Sequence, residues 1–234
     1  MGFIFVIIGL LLAAQQGAAG PWPRERGQVF TAQGGNFLLS DGAQLPVHYD
    51  PTFYAEYGLT ELMTVGLDYH TADQGRIHTG FAFLSFPLGD TDARDRYAAS
   101  LGYGARIDEY SPLEWMVRGG FSWGRGLDNG WLAIDTTASY GTVDQSFRPK
   151  ADFTWGHHLN DRWTVSLQLQ TGEGYSDDYY AKISPAISFA LNEEYRVSIG
   201  AVQGLTGDQG SALKVELWRT HTFGRKELRA LFGE

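Results

Sequence analysis

The 234-residue sequence contains no cysteine, which excludes disulfides, thiolate metal centres and a lipid-modified N-terminal cysteine. It also lacks a basic stripe: 18 Lys and Arg stand against 27 Asp and Glu, a net charge of -9. Without clustered cations to neutralise phosphates, nucleic acid is excluded as a partner. Long apolar runs are equally scarce. The strongly apolar stretch is confined to residues 1–19, and its run 2–14 is shorter than the roughly 20 residues that a membrane-spanning helix needs. A mean hydropathy of -0.23 is too polar for a helical membrane protein.

What is present points to strands and secretion. The 30 glycines and 14% aromatics, with many Thr and Ser, favour strands and tight turns over helices. The apolar run is followed by the small residues Gly17, Ala18 and Ala19, so residues 1–19 read as a signal peptide cleaved after Ala19. No Lys or Arg precedes the run, and an uncleaved interfacial anchor is the alternative. On either reading the rest of the chain leaves the cytoplasm.

A short turn phrase recurs. Leu59-Thr60-Glu61 precedes a strand-like run, as do Leu127-Asp128-Asn129, Leu159-Asn160-Asp161 and Leu191-Asn192-Glu193. Short Asx and Thr side chains bond to nearby backbone and tolerate left-handed geometry, which is turn chemistry. Leu127, Leu159 and Leu191 are 32 residues apart, and Leu59 lies two intervals of 34 before Leu127. The missing turn falls in the polar segment 89–96. Six intervals tile the mature chain, each with room for two strands of about ten residues and a loop. The expectation is an all-β chain: a transmembrane antiparallel up-and-down barrel of about twelve strands over residues 20–223. An even strand number with both termini in the periplasm is the bacterial outer-membrane arrangement. The connections 40–50, 71–76, 107–112, 141–145, 172–178 and 204–211 are then the loops outside the cell, mostly longer. A propeller or sandwich would not give that two-sided pattern. Beyond the last strand, Leu228, Leu231 and Phe232 have helical spacing, giving 224–234 as a short periplasmic tail.

Alternation assigns the faces. Trp163, Val165, Leu167 and Leu169 oppose Thr164, Ser166, Gln168 and Gln170, as a lipid face opposes a lumen. Aromatics near strand ends, among them Tyr54, Tyr57, Trp115, Trp123, Trp131, Trp155, Trp163, Tyr179 and Tyr195, read as interfacial girdles. Parity turns Glu56, Asp68, Glu114, Asp135, Asp152 and Glu216 inward. It does the same for Arg106, Arg118, Arg148, Lys150, Lys182, Arg196 and Lys214. These thirteen are the lumen-lining candidates. Enclosed charges demand partners, and their near balance predicts cross-barrel ion pairs in a narrow interior rather than an eyelet of one sign.

Catalytic chemistry is not indicated. No His-x-Ser pairing falls on one strand face, and the adjacent His157 and His158 face opposite sides and cannot chelate together. Neither a metal nor another cofactor is called for. Glu173, Asp177, Asp178 and Asp208 make two outer loops acidic. They read as solvated, with cations bridging lipopolysaccharide as the alternative.

The segment 54–68, Tyr-Ala-Glu-Tyr-Gly-Leu-Thr-Glu-Leu-Met-Thr-Val-Gly-Leu-Asp, and the start Gly20-Pro21-Trp22-Pro23-Arg24 resemble uncharacterised proteobacterial outer-membrane barrels. These are similar to the outer-membrane proteins of phenol meta-cleavage operons. The resemblance implies an outer-membrane barrel and a channel for small molecules, without catalytic residues or a defined substrate. The sequence reading is therefore a narrow porin-like channel, not an enzyme. A structural or surface-interaction barrel with a plugged lumen is the alternative, and a lipid-modifying barrel enzyme a lesser one. The expected partners are outer-membrane lipids and lipopolysaccharide, the barrel-assembly machinery and a small-molecule solute.

Overall fold

A computed structural model describes residues 20–39, 48–109, 111–174, 178–207 and 210–224. The first strands are β1 (Gln28–Leu39), β2 (Tyr49–Thr60), β3 (Met63–Ala72) and β4 (Ile77–Leu88). β5 (Asp95–Asp108), β6 (Ser111–Leu127), β7 (Gly130–Gly141) and β8 (Phe147–His158) follow. β9 (Trp163–Glu173), β10 (Tyr179–Ala190), β11 (Tyr195–Thr206) and β12 (Ser211–Thr222) complete the set. Every strand pairs with its sequence neighbours, and β12 returns to β1, so the sheet is a closed twelve-stranded barrel. All pairings are antiparallel, as Phe30 opposite Thr220 illustrates at the closure. Closure removes the edges whose unpaired backbone groups would be intolerable in lipid.

The repeated turns work through the side chains that mark them. The Asn160 carboxamide oxygen accepts from the backbone N–H of Arg162 and Trp163, both at 3.0 Å. Thirty-two residues on, Asn192 accepts from Glu194 at 2.9 Å and Tyr195 at 2.8 Å. Thr60 accepts from the Leu62 N–H in the two-residue connection between β2 and β3. The expected turn in 89–96 is present between β4 and β5. All these turns lie at the end that also holds both ends of the barrel sequence, here termed the terminal end.

The far end departs from expectation. The 107–112 loop is mostly strand, because β5 runs to Asp108 and β6 starts at Ser111. Asp108 and Pro112 read as loop residues, yet Asp108 pairs with Ser111. The 73–76 connection is a left-handed turn, with Asp73, Gln74 and Gly75 at φ of 50°, 62° and 78°. Its length matches that of the terminal-end turns 159–162 and 191–194, so the length contrast between the two ends is weaker than expected. The segments 1–19 and 225–234 lie outside the described residues, as do Asp177 and Asp208.

Exposure is inverted relative to a soluble protein. Leu101 is 65% exposed and Leu67 52%, on the outer face, whereas the polar residues Thr79 and Glu114 are 1% and 2% exposed. Patches of exposed apolar surface this extensive mark a membrane-facing surface. Trp123, Trp155 and Trp163 stand outward near the terminal end, and Trp115 and Tyr179 near the other. Trp115 stacks on Tyr103 at 5.5 Å.

Candidate functional site: the barrel interior

Register partners in an antiparallel pair share a face, so the buried Phe30, Thr79 and Phe81 identify the enclosed face. Phe30 faces Glu56, Phe81 faces Asp68, and Thr79 faces Arg106, which faces Glu114 on the next strand. The same count carries round the ring. Arg118 faces Ser139, Asp135 faces Asp152 directly, and Lys182 faces Gln170. Lys214 faces Gly200 and Glu216 faces Ser198.

Over β1 to β6 the enclosed face is packed. Arg106 lies 3.3 Å from Glu114 and 3.9 Å from Asp144 in the β7–β8 connection. Asp144 also pairs with Arg148, and its own backbone N–H donates to Glu114 at 3.1 Å. Partial desolvation works against the Asp144 carboxylate. Hydrogen bonds involving Arg148, Glu114 and Ser146 nevertheless hold its pKa well below the ordinary carboxylate range. Nearer the middle, Arg118 on β6 reaches Asp68 on β3 at 2.6 Å. Its guanidinium lies over the Phe81 ring at 4.2 Å, a cation–π contact. Phe83 stacks on Tyr54 at 5.8 Å. This pairing joins strands that are not neighbours, so these side chains occupy the interior volume.

The same half contains a strap of residues 20–26. Gly27, at φ 82°, gives the left-handed bend that lets the chain turn from β1 into the barrel. The Arg24 backbone N–H donates to Thr64 Oγ1 at 3.2 Å, and its Nε donates to Glu56 Oε2 at 2.6 Å. Pro21 is fully buried. A side chain at Gly58 on β2 would collide with the carbonyl groups of Glu25 and Arg24. One at Gly124 on β6 would meet the Trp22 ring and lie 2.7 Å from Pro21 Cγ. β6 is five strands from β1 in a ring of twelve, so the strap crosses the interior at the terminal end.

Over β7 to β12 the enclosed face is different. Asp135, Thr137, Lys150, Asp152, Gln168 and Gln170 are all partly exposed. Lys150 pairs with Asp152 on its own strand at 2.8 Å, and Lys214 with Glu216 at 3.0 Å. Arg196 donates to Thr164 at 3.1 Å and Ser188 at 3.4 Å. These contacts are made along the wall. A recess of about 410 Å³ on the same strands is lined mainly by outward residues, among them Thr136, Pro149, Ala151 and Tyr179, and also touches Thr137 and Lys150.

Several interior residues escaped the sequence reading. Tyr54 and Trp131, expected in the girdles, point inward: Tyr54 donates to Glu56 at 2.7 Å, and Trp131 is 5% exposed. Gly66 and Gly156 make room, since a Cβ at either would strike the Phe83 or Trp131 ring. Those glycines, register partners of Glu56 and Trp131, are the signal that an aromatic turns inward beside them. His78, His158 and His221 meet Tyr69, Thr164 and Glu194 rather than a serine nucleophile.

Closure, an apolar outer belt and a charged interior define a twelve-stranded antiparallel β-barrel of the outer-membrane type. No protein-family model matches the sequence, and no curated protein does. The fold, however, has solved counterparts. An outer-membrane channel from Pseudomonas putida F1 is similar at a TM-score of 0.57 and 12% identity, over 89% of this chain and 100% of its own. The KdgM porin gives 0.57 at 7% identity, over 84% of this chain and 99% of its own. The CymD monoaromatic hydrocarbon channel gives 0.50 at 7% identity, over 86% and 90%. At these identities the likeness is one of fold.

Proposed function

We propose that this chain is a narrow, porin-like outer-membrane channel for small solutes. The observation that carries the reading is the β7 to β12 interior, where a strip of inward Asp, Lys, Thr and Gln side chains stays partly exposed beside a more tightly packed half. A lumen serving only stability has no need of such a strip. Ion pairs along the strip, Lys150–Asp152 and Lys214–Glu216, offset four of its charges. Lys182 and Arg196 against Asp135 leave a small positive excess, so it suits small polar solutes with at most mild selection by charge. The fold neighbours support the reading. Among them are a porin solved in complex with oligogalacturonate and a channel for monoaromatic hydrocarbons. Residues 1–19 serve as the signal peptide, and the terminal end faces the periplasm. Lipopolysaccharide and lipid surround the belt, the barrel-assembly machinery inserts it, and the protein is not an enzyme.

A second reading, a structural barrel with a plugged lumen, is favoured by the strap. Planar-bilayer recordings on the full barrel and on a variant lacking residues 20–26 decide between them. The channel reading expects conductance steps in both, larger in the shortened barrel. Silence from the full barrel at every voltage, with steps appearing only once residues 20–26 are removed, would establish the plug, and silence from both would overturn the channel.

A further inference from the structure

We propose that Glu56, Phe30 and Tyr54 form a binding cage for an organic cation of the guanidinium or alkylammonium class, occupied in this state by the chain's own Arg24. The cage has the components that such cations need. Glu56 is 7% exposed and supplies the carboxylate, with Oε2 2.6 Å from Arg24 Nε. The second oxygen, Oε1, is held by the Tyr54 hydroxyl at 2.7 Å, which fixes the direction in which the carboxylate faces. Phe30, 2% exposed, presents its ring to the Arg24 guanidinium carbon at 4.3 Å. The Tyr54 ring closes the side at 6.3 Å from Phe30 in an edge arrangement. A carboxylate and an aromatic face converging on one planar cation combine a charge-assisted hydrogen bond with cation–π attraction.

The occupant is separable from the cage. Glu56, Phe30 and Tyr54 belong to the paired wall of β1 and β2, whereas Arg24 belongs to the strap that precedes β1. A wall-borne carboxylate this enclosed cannot be left without a cation at no cost. If the strap withdraws, the cage is left requiring one. The strap is thus a tethered occupant, and a free cation is its competitor. A tethered group acts at an effective concentration on the order of mM, so a few mM of free ligand leaves the intact barrel unchanged.

The test removes the tethered cation and offers a free one. Thermal unfolding is followed in detergent, so the readout is independent of whether the barrel conducts. The full chain is compared with R24A and R24A/E56Q, with methylguanidinium titrated through the mM range. R24A is expected to unfold at a lower temperature than the parent and to recover saturably with methylguanidinium, as ligand binding to the folded state requires. R24A/E56Q should show no recovery, and urea, the neutral analogue, should not substitute at equal concentration. Equal recovery in R24A and R24A/E56Q, or none in R24A, overturns the cage. Should R24A fail to fold, R24Q takes its place with the same two outcomes.

Discussion

The two halves of the interior carry similar residue types to opposite ends. On β2 to β6 the charged side chains bridge elements: Glu114, Glu56 and Arg106 are buried at 2%, 7% and 9% exposed, and Arg118 and Asp68 are part-buried at 17% and 27%. On β8 and β12 the pairs Lys150–Asp152 and Lys214–Glu216 lie two residues apart on single strands, and the lysines stay 41% and 29% exposed. The packed half is filled by Phe30, Phe81, Phe83, Met116 and the strap, so its charges are stranded from water and must find each other. The other half has Ser, Thr and Gln between its charges, and its lysines keep part of their surface exposed. Charge count alone therefore does not define a pore; the bulk of the neighbouring inward residues decides whether a charge lines a path or braces a wall.

Removing one partner of a buried pair should give the largest effect. Glu114→Ala leaves Arg106 enclosed with only its longer contact to Asp144 at 3.9 Å, which costs up to about 3–5 kcal/mol. Equilibrium unfolding in urea should show it as a large fall in midpoint. Lys214→Ala on the open half breaks a part-exposed pair whose carboxylate keeps the Trp218 indole N–H, and should cost less, about 1 kcal/mol. Comparable losses in the two variants would erase the distinction between the halves.

Next in size is a charge on the lipid face. Leu101, 65% exposed on the outer wall, should cost about 2–4 kcal/mol as Leu101→Arg if it sits near the bilayer midplane. A neutral outcome in the same urea experiment would place that face in water.

The strap offers a change in accessibility rather than stability. Gly124→Phe fills the space taken by Trp22 and Pro21 and should expel the strap while the barrel stays closed. Trp22 fluorescence, in a variant whose other tryptophans are replaced, should then become quenchable by acrylamide. Continued protection would mean that the strap is held from the β2 side alone.

Orientation is the subtlest test. A cysteine at Val143 in the β7–β8 connection should react with an impermeant maleimide on intact cells, and one at Asn160 or Asn192 should not. The reverse pattern would invert the barrel.

Much of this fold is legible in the sequence, for reasons that the structure makes explicit. Asn160 and Asn192 cap their turns with matching pairs of hydrogen bonds, so a 32-residue spacing counts hairpins directly. The face of Trp163 to Gln170 is legible because one side is apolar and the other polar. β4 is not legible in that way: Phe81 and Phe83 face inward while Ala82 and Leu84 face lipid, so both faces are apolar and parity has no anchor. Tyr54 and Trp131 mislead for the same reason, since an aromatic suits either side of a thin wall. The strap leaves no periodic trace. Its place depends on Gly58 and Gly124, 66 residues apart in sequence, which clear a lane that local patterning does not reveal.

The division of the interior into a packed and a hydrated half is tested most directly by thiol accessibility in the cysteine-free background. Single cysteines at Thr137 and Gln168 probe the open half, and those at Thr79 and Ala98 the packed half. All four positions lie on the enclosed face. With a small water-soluble methanethiosulfonate applied to the purified barrel, Thr137→Cys and Gln168→Cys should modify rapidly, and Thr79→Cys and Ala98→Cys should stay protected. Equal rates at all four positions, or protection at Thr137 and Gln168, would contradict the division and with it the proposed path.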